Sequence, residues 1–142
     1  MFSRLRRART AALAWGVFLF ALTSWPKPPE VPILSGIPNF DKVVHFGLYS
    51  VETLCLYFAV RWPGRAGFSL LRVLALTGLM AVWGTVDEVH QTWIPGRSCD
   101  PEDAVADTTG ALAGALVASA VAGRRRSRLL DPPPPPPLAF TS

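Results

Sequence analysis

A chain of 142 residues is long enough for one domain, and this one is 50% hydrophobic with only 17% of its residues charged. That balance is too apolar for an ordinary soluble domain of this size and predicts a membrane protein. The net charge of +4 does not predict a nucleic-acid partner, because the arginines fall in clusters beside apolar runs and not along one basic face.

The first apolar run, 10–25, follows Arg4, Arg6, Arg7 and Arg9. A basic start before an apolar core is also how a signal peptide begins. The end of the run, ALTSWPKPP, has no clear small-x-small cleavage site, so a retained anchor is expected. The segment 26–40 contains Pro26 and four further prolines before Asn39. It is expected to be extended and to cross the outer face as a lid or strap. Three more apolar runs follow at 43–60, 70–86 and 104–122, and the last is rich in Ala and Gly, which suits close helix packing. A span needs about 20 residues, so the expected fold is all-α, a membrane bundle of four transmembrane helices. The expected organisation is a basic cytoplasmic N-terminus (1–9), the four-helix domain (10–122), and a basic, then Pro-rich, disordered cytoplasmic tail (123–142). Within that tail, DPPPPPP (131–137) has the composition of a solvated polyproline II segment. Cys55 and Cys99 set no disulfide framework.

Charge placement orients the bundle. With the N-terminus and C-terminus both inside, eleven of the 14 Lys and Arg lie on the inner side, leaving Lys27, Lys42 and Arg97 outside. This satisfies the positive-inside rule. Trp25 and Trp93 then fall near outer ends and Trp62 near an inner end, as an aromatic belt requires. Nearly all the acids gather at the outer side.

Those acids share helix faces with other polar groups. Asp41 and His45 are four apart, and Tyr49 and Glu52 return to the same face, so the second helix carries a polar stripe running inward. At about 1.5 Å of rise per residue, Glu52 lies roughly 10 Å deeper than His45. A carboxyl at that depth costs about 2.5–3.5 kcal/mol in lipid and should face protein or water, whether for function or for a bond to a neighbouring helix. The third helix ends in Asp87, Glu88, His90 and Gln91, and the turn at Pro95–Gly96 presents Arg97 at the outer surface. Arg97 suits bidentate contact with phosphate or carboxylate, or a salt bridge to Asp87 or Asp100. On the fourth helix Asp103, Asp107, Gly110 and Gly114 form one stripe. Its acids lie near the helix N-terminus, where Asp100 or Asp103 is also placed to act as a cap, and its glycines match the small-xxx-small packing pattern. Asp41, His45, Glu88, His90 and Asp103 are of ligand types that hold divalent cations. Yet there is no HExxH, no Cys/His metal spacing, no GxSxG elbow and no P-loop, so no metal or cofactor is expected.

Three blocks in order resemble the VanZ-like family of small bacterial membrane proteins: DKVVHFGLY (41–49), DEVHQTWIPGR (87–97) and DPEDAVADTTGALAG (100–114). They are similar to the family's DK-x-x-H-F-x-x-Y, DE-x-x-Q-x-x-x-PGR and D-x-x-D-x-x-x-N-x-x-G-x-x-x-G patterns. Asp107 departs by standing where the family often has Asn, and His90 falls at a variable position. The resemblance implies four spans, a bacterial cell-membrane location and a link to teicoplanin, a glycopeptide antibiotic, without a defined reaction.

Three functional expectations follow. In the first, an outer polar site binds membrane lipid headgroups, a lipid-linked cell-wall precursor or a glycopeptide, through Lys42, Tyr49, Glu52, Asp87, Gln91, Arg97 and Asp107. In the second, the chain is an intramembrane enzyme acting on headgroups; its catalytic candidates are Asp41, His45, Glu88 and Asp103, with His45 as base oriented by Asp41. In the third, the polar groups only join helices.

Overall fold

The structure, a computed structural model, describes residues 2–26, 38–60 and 68–130. Within them are four α-helices and no strand: α1 (Phe2–Thr23), α2 (Phe40–Ala59), α3 (Leu70–Gln91) and α4 (Pro101–Leu130). Each covers most of one expected apolar run and extends past it at one end or both, with α1 and α2 stopping at Thr23 and Ala59, short of the expected 25 and 60; hydropathy marks only the greasy middle of a helix whose polar end turns are also hydrogen-bonded. The basic residues Arg4 to Arg9 are therefore helical, and so is the basic segment 123–130, which the sequence assigned to a disordered tail. Of the expected strap over 26–40, residues 27–37 lie outside the described residues and Phe40 already belongs to α2; the loop 61–67 with Trp62 and the polyproline segment also lie outside them.

Among the described residues, α3 and the Pro101–Arg125 part of α4 are long and apolar enough to cross a membrane. The four arginines of α1 and the stripe of Asp41, Lys42, His45 and Glu52 in α2 dilute the other two helices. Helix length and composition thus support two of the four expected spans.

Cross-helix contacts set the direction of every helix. Arg9 Nε donates to Ala59 O (3.2 Å) and Trp15 Nε1 to Leu48 O (3.0 Å), so α1 and α2 are antiparallel. On α4, Gly110 faces Phe46 and Gly114 faces Ser50, so α2 and α4 run parallel. Gly84 faces Asp107, while Ser69 N donates to Ser119 Oγ (3.0 Å) at the opposite end, so α3 and α4 are antiparallel. The bundle is up-down-up-down. One end therefore gathers the C-termini of α1 and α3 with the N-termini of α2 and α4.

The α2–α4 contact is the closest. A Cβ added at Gly110 would strike the carbonyl oxygen of Phe46, and one at Gly114 that of Ser50. Ser50 Oγ donates to Gly110 O (2.9 Å), joining the two backbones through one hydroxyl. Ala111, Ala115, Ala118 and Ser119 continue the same face of α4 and are fully buried. This small-residue face lets α4 pack closely against both α2 and α3. Two apolar clusters fill the interior. Leu19, Tyr49, Met80 and Ala111 lie mid-bundle, and Tyr57, Val73, Leu76, Ala115 and Ala118 lie towards the end away from the acids.

Glycine substitutions test this packing. Gly47 and Gly78 have open space around an added Cβ. Ala there should hold or raise stability by up to about 1 kcal/mol through helix propensity. Gly110→Ala and Gly114→Ala should instead lose about 1–3 kcal/mol by overpacking. Thermal unfolding in detergent micelles measures the difference, and equal melting temperatures for Gly47→Ala and Gly114→Ala would contradict the close contact.

Candidate functional site

The polar residues converge at the end where α3 stops and α4 starts. Arg97 N donates to Ile94 O (3.1 Å), closing a turn over Pro95 and Gly96. Gly96 holds φ 84°, the left-handed backbone that the residue after proline in a type II turn adopts. The turn folds Arg97 back on α3, where Nε donates to Gln91 Oε1 (3.0 Å) and Nη2 reaches the same oxygen. Gln91 Nε2 in turn donates to Glu88 Oε1 (3.1 Å).

At the start of α4, Asp100 Oδ1 accepts the Glu102 N–H (2.9 Å), the bond of an N-cap. The Asp100 N–H donates to Glu88 Oε2 (2.8 Å), so both Glu88 oxygens have donors and the loop is tied to α3. Lys42 Nζ, from the first turn of α2, donates to Asp103 Oδ1 (2.8 Å), Asp41 Oδ2 (3.1 Å) and Asp100 Oδ2. The Lys42 bond, helped by the Glu102 N–H, holds the Asp100 carboxyl below its ordinary value of 3.8. A depressed folded value means the clasp contributes fully above pH 3.8 and is lost as pH falls through the lowered value.

One turn deeper, His45 Nδ1 donates to Asp107 Oδ1 (3.0 Å), and Nε2 lies 3.8 Å from Asp103 Oδ2. Asp107 is wholly buried and packs on α3 where Gly84 has no side chain; a Cβ there would stand 2.9 Å from Asp107 Oδ2. Helix α1 joins through Thr23, whose hydroxyl donates to Asp87 Oδ1 (3.0 Å). Asp87, Glu88, Gln91 and Asp107 are each at most 3% exposed.

Most of the expected site residues are thus brought together, with corrections. Asp41 does not orient His45. It shares a helix face with His45 by spacing, but its side chain is 60% exposed at the helix start and pairs with Lys42. His45 packs against α4, where Asp107 is at hand. Arg97 pairs with Gln91 and with neither Asp87 nor Asp100. Tyr49 packs in the core beside Leu19 and Met80 and keeps its hydroxyl near Asp87. His90 leaves the cluster and stacks on Phe20 (5.1 Å between ring centroids) with Trp93 edge-on. Thr23 and Gly84 were missed. Thr23 carried a weak signal, a hydroxyl in the last turn of the first apolar run.

Glu52 lies apart from this network. It borders a cleft of about 620 Å³ between α1 and α3, floored by α2 and lined mainly by apolar residues such as Val17, Phe20, Leu56 and Met80. Glu52 is 7% exposed, and its Oε2 accepts no hydrogen bond. Gly16 lets α1 pass beside it, with an added Cβ only 3.4 Å from Oε1.

The family model described as VanZ/LLP1 matches residues 4–122, a range that contains all four helices except the ends of α1 and α4. No curated protein and no solved structure matches the chain significantly.

Lys42 and Asp41 separate the network from its rim. Lys42→Met removes the cation from Asp103, whose side chain is 11% exposed, and is expected to lower stability by about 1–3 kcal/mol. Asp41→Asn alters an exposed side chain and should change stability by less than about 0.5 kcal/mol. Unfolding of both variants in micelles at pH 7 checks the order.

Proposed function

The chain belongs to the VanZ/LLP1 family, and from that premise we propose that it is a multi-pass protein of the bacterial cell membrane that binds an anionic headgroup at the outer face. The headgroup is the phosphate of an envelope lipid or of a lipid-linked cell-wall precursor. The observation that carries this reading is the partner of Arg97. Acids crowd this end of the bundle, yet among the described residues the guanidinium bonds to a neutral amide oxygen and to no carboxylate. Two of its five N–H groups are engaged, so charge and donors remain for an anion.

Three further features support the setting. Large apolar side chains are exposed on every helix, for example Leu13, Val43, Leu71, Val82 and Val105, as a lipid-facing exterior requires. The exposed Trp25 and Trp93 lie at the polar end, the level of an interfacial belt. The apolar cleft between α1 and α3 ends at Phe20, one turn short of Thr23, and suits a hydrocarbon chain whose headgroup lies at the polar end. Altered susceptibility to teicoplanin belongs to the same reading, since envelope lipid held at the outer face changes what the antibiotic meets there.

A second reading adds chemistry at the same place. His45 is oriented by Asp107 at 3.0 Å, the arrangement of a general base and its positioning acid. On that reading His45→Gln abolishes conversion of labelled envelope lipids in membranes.

Arg97→Gln is expected to weaken binding of phosphate-bearing lipid to the purified protein by about 10–100-fold, since a charged hydrogen bond contributes about 1.5–3 kcal/mol. Equal binding by wild type and variant sinks the headgroup reading. Teicoplanin susceptibility of cells carrying each form is the cellular readout.

Topology is tested with the native thiols. Cys99 is exposed in the α3–α4 loop and Cys55 is half-buried in α2. A membrane-impermeant maleimide should label intact cells at Cys99, and Cys99→Ser should abolish that labelling. Labelling only after lysis would reverse the orientation.

A further inference from the structure

We propose that His45, Glu88 and Asp107 form a binding site for a first-row divalent transition metal, Zn²⁺ or Mn²⁺. The three residues come from three helices, α2, α3 and α4. All are buried, and one ligand atom from each lies within 4.8 Å of the other two. None of the short spacings that reveal metal sites in sequence is involved, because no two of these ligands share a helix.

The independent observation is Oδ2 of Asp107, the oxygen that His45 does not bond. Asp107 is wholly buried, and its Oδ2 has no hydrogen-bond partner. A carboxylate oxygen left bare in the interior is costly unless a cation or proton meets it. Charge bookkeeping points the same way. Asp87, Glu88, Asp103 and Asp107 are all buried residues. Lys42 reaches Asp103, and the Arg97 guanidinium lies on Gln91 and bonds none of these carboxylates. The remaining three buried carboxylates have two imidazoles near them, His45 against Asp107 and His90 in reach of Asp87, and otherwise neutral donors. A divalent cation supplies the missing charge.

Donor chemistry selects the ion. One imidazole nitrogen with carboxylate oxygens suits Zn²⁺ or Mn²⁺ better than Ca²⁺ or Mg²⁺, which favour all-oxygen shells. The surroundings also suit a metal site. Gln91 Nε2 and the Asp100 N–H each donate to one oxygen of Glu88, fixing the carboxylate while leaving a lone pair on each oxygen. Gly84 gives Asp107 the room to lie against α3. Water or a headgroup oxygen completes the shell. The site stands apart from the headgroup reading, because Arg97 is not a ligand.

Purified full-length protein in nanodiscs is stripped with chelator, then titrated separately with Zn²⁺, Mn²⁺, Mg²⁺ and Ca²⁺. Bound metal is measured by elemental analysis after gel filtration, and thermal unfolding is followed in parallel. Wild type should retain about one equivalent of Zn²⁺ or Mn²⁺ and melt at a higher temperature with it. Glu88→Gln and His45→Gln should each bind more than about a hundredfold more weakly, beyond the effect of losing an outer-shell partner. Asp107→Asn, close in shape to wild type, should also lose the metal-dependent rise in melting temperature while remaining folded. Arg97→Gln and Asp100→Asn should keep the metal. Metal-free wild type whose melting is indifferent to all four ions overturns the proposal, and the bare oxygen then carries a proton. Retention of metal by Asp107→Asn with loss in Asp100→Asn also overturns it, by moving the site to the exposed acids around Lys42.

Discussion

The parallel seam between α2 and α4 governs the rest of the bundle. Gly110 and Gly114 let α4 approach until its backbone meets the carbonyl groups of Phe46 and Ser50. Any side chain at those positions would force the two axes apart. Because the glycines are four apart and face residues four apart, they also fix the register of one helix on the other. That register brings Asp107 level with His45 and Asp103 level with Lys42. The seam that packs the membrane domain is the same seam that assembles its polar end.

The polar end works as a graded structure. At the rim, Lys42 is shared among three carboxylates and Arg97 rests on an amide. Deeper in, the carboxylates rely on neutral donors and one imidazole: Thr23 and Gln91 for Asp87, and His45 for Asp107. The helix N-terminus of α4 favours acids near its first turn, which accommodates Asp100 and Asp103 but reaches little beyond. Asp107 lies past that reach, in the bundle's interior, and is where the demand for a cation is sharpest. Cation demand inside and spare guanidinium donors at the rim are compatible, since a metal that neutralises the inner acids also lowers their repulsion of an incoming anion.

The exterior and the cleft give this end its context. Aliphatic and aromatic side chains cover the flanks of all four helices, whereas buried small residues line the faces of α4 that touch α2 and α3. Helix α1 contacts α3 sparingly, through Thr23–Asp87 and Phe20–His90 near the polar end, and the separation below them opens the cleft that Glu52 borders. Glu52 thus faces an apolar cleft with one carboxyl oxygen free of hydrogen bonds.

Sequence alone determined the four helices, the gathering of the acids at one end of them, the packing role of Gly110 and Gly114, and the family resemblance that the match over residues 4–122 bears out. These rest on hydropathy, on charge asymmetry and on spacing within one helix, and each of those is local along the chain. Tertiary structure decided the partners. Spacing offered His45 the acid one turn away on its own helix, Asp41, whereas packing gave it Asp107 across the seam. Arg97 found an amide in place of an acid, and Thr23 and Gly84 entered the site from helices that the motifs do not cover at those positions. Helix rotation and register are set by contacts between residues from 23 to 64 positions apart, and no periodicity within a single segment records them.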